Sequence, residues 1–328
     1  MKDIKAESES EKEKLNLKII GELLIRTLNQ FIDDKGLKMA AALSYYAAFS
    51  LGPLLIIVIS IAGFIFGEEA ARGEISNQIT YLIGKDSADM IQTIIKGASN
   101  VSTGLFAGIV SLILLILGSV AVFIELQESL NIIWGVESKP GRGIWGFIKN
   151  RLISFSMVIV TGFLLMISLL INSLINLLSN FINDSIKDFL PMTEIINFVT
   201  SLIVITILFA LIFKYLPDVI ISWRYVWLGA IFTSLLFSGG KYLIALYLGN
   251  SSYTSVYGAA ASIIILFVWI YFSGIILFFG AEFTQVYRKR FSRTPLRPDI
   301  DGVIVPKVSE LIKESMRESK EEDENSVK

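Results

Sequence analysis

The chain has 328 residues, and its composition excludes several familiar classes of protein. Hydrophobic residues make up 53% and charged residues only 18%, a balance that is typical of membrane proteins rather than of water-soluble domains. The sequence contains no Cys and no His, which excludes disulfides, thiolate chemistry, Ser-His-Asp triads and His-ligated zinc sites. The formal net charge of -1 gives no support for nucleic-acid binding.

The N-terminal region divides into a charged segment and an amphipathic one. Residues 1–16 contain almost no apolar side chains, and we predict that they are disordered in the cytoplasm. From Leu17 to Phe31, apolar residues recur at helical spacing with charged residues on the other side, which predicts an amphipathic helix. Two placements remain open for it: on the inner leaflet of a membrane, or against the cytoplasmic face of a helix bundle.

Six long apolar segments follow, each close to the ~20 residues that a helix needs to cross the hydrocarbon core of a bilayer. The fifth is interrupted at residues 239–241, but an even number of spans keeps the charge pattern consistent. We therefore predict an all-α, polytopic membrane domain over residues 17–290, built as a bundle of six transmembrane helices. The predicted spans cover residues 40–66, 104–125, 152–176, 195–213, 226–248 and 258–281.

Lys and Arg are distributed unequally between the two sides of these spans. The N-terminal segment, the second-to-third and fourth-to-fifth connections and the tail carry 24 of the 29 basic residues, and the other three connections carry four. Cytoplasmic segments of membrane proteins are enriched in basic residues, so both termini are predicted to be cytoplasmic. Residues 67–103 then lie outside, where their apolar spacing predicts two short amphipathic helices. The tail, residues 291–328, begins basic and ends acidic, and we predict that it is solvated.

The first span carries small residues along one side and a proline near its middle. Ala41, Ser44, Ala48 and Gly52 share a helical face, which allows close approach of a neighbouring helix. Pro53 removes a backbone hydrogen bond and predicts a kink. The kink either serves helix packing alone or acts as a hinge beside a cavity.

Polar and charged residues gather at the predicted cytoplasmic ends of the spans. Groups at this depth are expected to pair with one another, and two interpretations remain open. The network either fixes the register of the helices or forms an inner gate or ion relay. This cytoplasmic-side charge network comprises Glu125, Glu128, Asn131, Lys214, Asp218, Arg224 and Glu282.

A second polar group is predicted nearer the outside. Lys241 lies about eight residues from the outer end of its span, or roughly 12 Å deep, which exceeds the ~6 Å reach of a lysine side chain. An ionisable residue at such a depth is a candidate for function, although the lysine could still reach the interface if the span ends earlier. We predict an outward-open polar cavity lined by Asn172, Asn176, Ser238, Lys241 and Tyr257.

Several short motifs together resemble the YihY/BrkB family of bacterial inner-membrane proteins, formerly called ribonuclease BN. The resemblance covers roughly residues 25–290 and implies six spans in the bacterial cytoplasmic membrane, with transport or envelope maintenance as the proposed role. It supplies no catalytic residues, and a chain without His or a soluble domain gives no support for a nuclease. The matching motifs are Ala41-Ala42-Leu43-Ser44-Tyr45-Tyr46 through Pro53, Leu130-Asn131-Ile132-Ile133-Trp134, Leu216-Pro217 with Trp223-Arg224, Tyr257-Gly258-Ala259, and Trp269-Ile270-Tyr271 leading into Gly280-Ala281-Glu282.

Three functions are compatible with these features. The first is a transporter or export component for a solute or lipid, and the second is a non-transporting scaffold for envelope assembly. The third, an intramembrane enzyme using carboxylates such as Glu125 or Glu128, is less favoured, and we predict that the protein is not an enzyme. No P-loop pattern is present, so ATP hydrolysis by this chain is not expected. Expected partners are membrane lipids and an unknown substrate, without nucleic acid, cofactor or metal; homo-oligomerisation is left open.

Overall fold

The computed structural model describes residues 17–50, 121–138, 190–249, 259–292, 294–299 and 302–305. The predicted disordered N-terminus, the outer connection at 67–103 and the span at 152–176 lie outside these ranges. So do most of the spans at 40–66 and 104–125, together with Pro53.

The described part of the chain is mostly helical, in agreement with the predicted class. The helices are α1 (Leu17–Asp33), α2 (described over 36–50), α3 (described over 121–134), α4 (Leu190–Tyr215), α5 (Trp223–Gly249) and α6 (Ala259–Phe291). Four short strands accompany them: β1 (Val136–Ser138), β2 (Val219–Ile220), β3 (Arg297–Pro298) and β4 (Gly302–Ile304).

Two of the described helices are long and apolar enough to cross a membrane. The qualifying segments are Phe198–Tyr215 in α4 and Ile264–Phe291 in α6, which correspond to the fourth and sixth predicted spans. Helix α5 covers the fifth predicted span, and its apolar sequence is interrupted by Lys241. The bundle of six spans remains a prediction.

Helices α5 and α6 pack through a reciprocal pair of Gly and Thr residues. A Cβ atom added at Gly229 of α5 would overlap Thr284 of α6, and one added at Gly280 of α6 would overlap Thr233 of α5. Each Thr hydroxyl donates a 2.7 Å hydrogen bond to the carbonyl of the glycine four residues earlier in its own helix. The two Gly-x-x-x-Thr segments thus interlock, with the hydroxyls satisfied internally, as is common where small residues bring membrane helices close together.

Helix α1 packs on the last turns of α6, which favours one of its two predicted placements. Leu23 of α1 is buried against Phe283 and Val286. The rings of Phe31 and Phe279 pack edge to face, with their centroids 5.8 Å apart. The neighbouring side of α1 nevertheless leaves apolar side chains exposed, Ile25 at 63% among them. Helix α1 is therefore held on the bundle and retains a free apolar stripe.

The main core lies at the end of the helices that the charge pattern assigns to the cytoplasm, here called the inner end. Its largest fully buried side chains include Trp134, Phe213 and Phe278, from α3, α4 and α6.

The four short strands form two pairs at the inner end: β1 pairs antiparallel with β4, and β2 pairs antiparallel with β3. Residues 294–299 and 302–305, here called the strap, therefore fold back onto the inner end. Backbone pairing fixes this part of the predicted tail to the bundle, while side chains such as Arg297 and Ile304 remain exposed; the rest of the tail, residues 306–328, lies outside the described residues, and its solvation stays a prediction.

Candidate functional site

Asp218 lies in the short turn between α4 and α5, at the inner end. Helix α4 ends at Tyr215, just before Leu216-Pro217, because proline disfavours helical geometry in the preceding residue and cannot donate to the helix ladder. The turn then enters β2, and the side chain of Asp218 is directed inward, with only 7% of its surface exposed. A buried carboxylate requires hydrogen-bond donors to replace the water it loses.

Three neutral side chains supply those donors. Gln127 Nε2 donates to Asp218 Oδ1 at 3.1 Å, and Asn131 Nδ2 donates to Oδ2 at 3.0 Å. The hydroxyl of Ser138 in β1 donates to the same Oδ2 at 2.6 Å. Gln127 and Asn131 are four residues apart in α3 and therefore project from one face of that helix. These residues form what we call the Asp218 cage.

The backbone of Asp218 is engaged as completely as its side chain. Its N–H donates to Asn131 Oδ1 at 2.8 Å, so Asn131 contacts Asp218 through both ends of its amide. Its carbonyl accepts a 3.0 Å bond from the N–H of Asp299 in the strap, where Gly302 allows close approach to the same carbonyl. Asp218 consequently joins α3, β1, the α4–α5 turn and the strap.

A second set of contacts closes the inner end around the cage. The N–H of Val305 donates to the carbonyl of Gly135 at 2.9 Å, and Gly135 takes a positive φ of 65° where α3 turns into β1. Gln285 Nε2 of α6 donates to the carbonyl of Ile133 at the end of α3. Arg288 of α6 donates to two strap carbonyls, each at 3.1 Å. In each of these contacts among the helix ends and the strap, the acceptor is a backbone carbonyl.

The structure brings together only part of the predicted charge network. Asn131 and Asp218 are bonded directly. Lys214 Nζ instead donates to the carbonyl of Ile221 at 2.6 Å and lies 5.8 Å from the centre of the Trp223 ring. Of the remaining members, Glu125 is half-buried, Glu128 and Arg224 are exposed, and Glu282 is fully buried on α6.

Sequence reasoning missed Gln127 and Ser138, which complete the cage. Both are neutral, and neither carries a charge that would mark it at this depth. The spacing of Gln127 and Asn131 was an available signal, since it places two amides on one face of α3. Among the described residues, no group of three His, Cys, Asp or Glu side chains could hold a metal ion. The hydrogen bonds of the cage hold α3, β1 and the α4–α5 turn together.

The predicted polar cavity lies mostly outside the described residues. Asn172, Asn176 and Tyr257 fall there, whereas Ser238 and Lys241 are both half-buried on α5. One turn further inward on α5, Ser234 is fully buried, and its hydroxyl lies 2.7 Å from that of Thr206 in α4. Ser234 therefore joins α5 to α4 instead of lining a cavity. The cavity itself remains a prediction.

Comparison with known proteins places the chain in a family. Residues 27–299 match the family model described as "Virulence factor BrkB". A UPF0761 membrane protein of Azotobacter vinelandii is 28% identical over 276 residues, which cover 81% of this chain and 64% of that relative. A UPF0761 membrane protein of Pseudoalteromonas translucida is 29% identical over 261 residues, 78% of this chain and 83% of the relative.

The match to the family model extends over most of the chain and includes the Asp218 cage, α5 and α6. This chain spans less than two thirds of the length of the Azotobacter relative. No solved structure matches the present chain. The predicted resemblance is confirmed: the chain is a membrane protein of the BrkB family.

Proposed function

We propose that this protein is a transporter or export component for a solute or lipid in the bacterial cytoplasmic membrane, with both termini in the cytoplasm. The observation that carries the proposal is the half-buried Lys241, on a helix that is otherwise strongly apolar. An ionisable group inside a membrane helix is costly, and where one is found it usually faces a polar pathway or a partner. Ser238 lies one turn away, is also half-buried, and extends the polar surface.

The inner end supports a pathway that is closed on the cytoplasmic side. Asp218, in the α4–α5 turn, is hydrogen-bonded to α3, β1 and the strap at 2.6–3.0 Å, and the nearby side chains of Trp134 and Phe213 are fully buried. We infer that a pathway through the bundle would have its opening on the outer side. This is the side on which Lys241 is expected to lie.

Cysteine accessibility tests the proposal directly, because the native chain contains no Cys. Single cysteines at positions 172, 176, 238 and 241 are to be treated in intact cells with a hydrophilic, membrane-impermeant thiol reagent. Two variants on the same helix are negative controls: Ala230→Cys in the packed core and Leu235→Cys on the exposed apolar surface. We expect the four cavity positions to react and both controls to remain unlabelled. Cavity positions as unreactive as position 230 would contradict the proposal.

A non-transporting scaffold is the second candidate, and one observation favours it. The interlocked Gly-x-x-x-Thr segments of α5 and α6 leave no space between these helices at Gly229 and Gly280. A bundle packed in this manner throughout would hold its shape for partner binding and would contain no aqueous cavity. The same labelling experiment separates the two functions, since a scaffold predicts protection at all four cavity positions.

A further inference from the structure

One face of α5 presents a line of exposed apolar side chains that begins with two tryptophans. Trp223, Trp227, Ile231 and Leu235 follow one another every fourth residue and are 40%, 42%, 49% and 54% exposed. Residues spaced in this way lie along one side of a helix. In a membrane protein such a line faces lipid, and tryptophans at one end of it mark the headgroup region.

Aromatic and cationic groups surround the inner end of this line. The ring of Tyr215, 54% exposed, lies 6.0 Å from that of Trp223, and the Trp223 and Trp227 rings are 6.1 Å apart. The Lys214 ammonium group lies over the Trp223 ring and donates to the Ile221 carbonyl, and within the described part of the chain its other two N–H groups have no hydrogen-bond acceptor. Arg224 is exposed beside Trp223.

The segment of the chain that carries this surface is net positive. Between residues 214 and 235 the sequence has a single acidic residue, Asp218, and its carboxylate is buried in the cage rather than directed at this surface. Lys214 and Arg224 therefore have no acidic neighbour along this stretch of the chain to offset them. The surface combines two basic groups, three exposed aromatic rings and an apolar line, which is the complement of an anionic phospholipid.

We propose that this surface, Lys214, Tyr215, Trp223, Arg224 and Trp227 with the apolar line beyond them, binds an anionic phospholipid of the inner leaflet. The lipid phosphate interacts with Arg224 and Lys214, the tryptophans contact the glycerol region, and an acyl chain lies along Ile231 and Leu235. Guanidinium groups suit phosphate oxygens because they donate two parallel hydrogen bonds. This proposal depends on the predicted orientation of the chain in the membrane, with both termini in the cytoplasm. It does not depend on transport activity.

Lipid titration of the full-length protein, purified in a neutral detergent, tests this site. Bound phosphatidylglycerol and phosphatidylcholine are counted by native mass spectrometry for the wild type, Arg224→Gln and Lys38→Gln. Lys38 is a matched control, because it is an exposed basic residue at the start of α2 and away from this surface in sequence. Arg224 is itself exposed, so its replacement is expected to leave the thermal midpoint unchanged.

We expect Arg224→Gln to weaken phosphatidylglycerol binding about fivefold, the contribution typical of one basic residue near an anionic surface. Lys38→Gln is expected to bind phosphatidylglycerol like the wild type, and phosphatidylcholine is expected to bind weakly to all three. Excess inorganic phosphate is expected to leave the lipid bound, because phosphate lacks the acyl chain. Equal affinity of the two variants, equal binding of the two lipids, or displacement by phosphate would each overturn the proposal.

Discussion

Removing the Asp218 carboxylate is predicted to destabilise the inner end strongly. Asp218→Ala leaves the donors of Gln127, Asn131 and Ser138 without their acceptor, and the side chains of Gln127 and Asn131 are buried. A buried donor deprived of its partner costs about 1–3 kcal/mol, and rearrangement relieves part of the total. We therefore expect the free energy of unfolding to fall by about 3–5 kcal/mol.

The Asn variant separates the hydrogen bonds from the charge. Asp218→Asn keeps one carbonyl oxygen, which can still accept from Asn131 and Ser138 at the position of Oδ2. Its new amide group faces Gln127, whose side chain can turn to present its own oxygen. The expected loss for Asp218→Asn is accordingly smaller, about 1–2 kcal/mol.

Reversible unfolding in mixed detergent micelles, followed by far-UV circular dichroism, measures these differences. Glu128→Gln is the control, because Glu128 is an exposed carboxylate on α3, the helix that supplies Gln127 and Asn131. The expected order of stability is wild type and Glu128→Gln, then Asp218→Asn, then Asp218→Ala. If Asp218→Ala were as stable as Glu128→Gln, the cage would not hold the inner end together. If the Asn and Ala variants were equally unstable, the charge rather than the acceptors would be decisive.

Two further predictions concern the packing of the bundle and the strap. Gly280→Ala forces a methyl group against Thr233 and should lower stability by about 1–3 kcal/mol, whereas Gly239→Ala meets nothing within 4 Å and should not lower it. Thermal midpoints of the two variants compare them directly, and equal midpoints would refute the close packing. Ending the chain after residue 293 removes the strap bonds to Asp218 and Gly135 and should cost at least about 2 kcal/mol. Ending it after residue 305 keeps both bonds, so equal unfolding curves for the two truncations would show that the strap does not stabilise the fold.

The sequence predicts the fully described helices α1, α4, α5 and α6 well because their signals are local. The limits of α5 and the amphipathic pattern of α1 follow from the length and spacing of apolar residues, which burial in lipid or protein requires. The partner of each helix face does not follow from spacing. The pattern of α1 therefore indicated an apolar side without showing that Leu23 contacts α6.

The cage was partly predictable and the strap was not. Asn131 and Asp218 were selected because both are polar groups at the inner ends of spans, and depth along a helix can be counted in residues. Depth does not fix rotation about the helix axis, so the expected partner of Lys214 was a carboxylate rather than the Ile221 carbonyl. The strap pairs through backbone groups across more than 160 residues, and backbone groups leave no side-chain pattern to read.

The orientation of the chain in the membrane is the claim on which the account depends most. Single cysteines at Ser8, Ser87 and Ser326, placed in the N-terminal segment, the first outer connection and the tail, are to be probed in intact cells with an impermeant thiol reagent. The distribution of Lys and Arg predicts that position 87 reacts at once, and that positions 8 and 326 react only after the membrane is permeabilised. Labelling of one terminus but not the other in intact cells, or protection of position 87, would contradict an even number of spans with both ends inside.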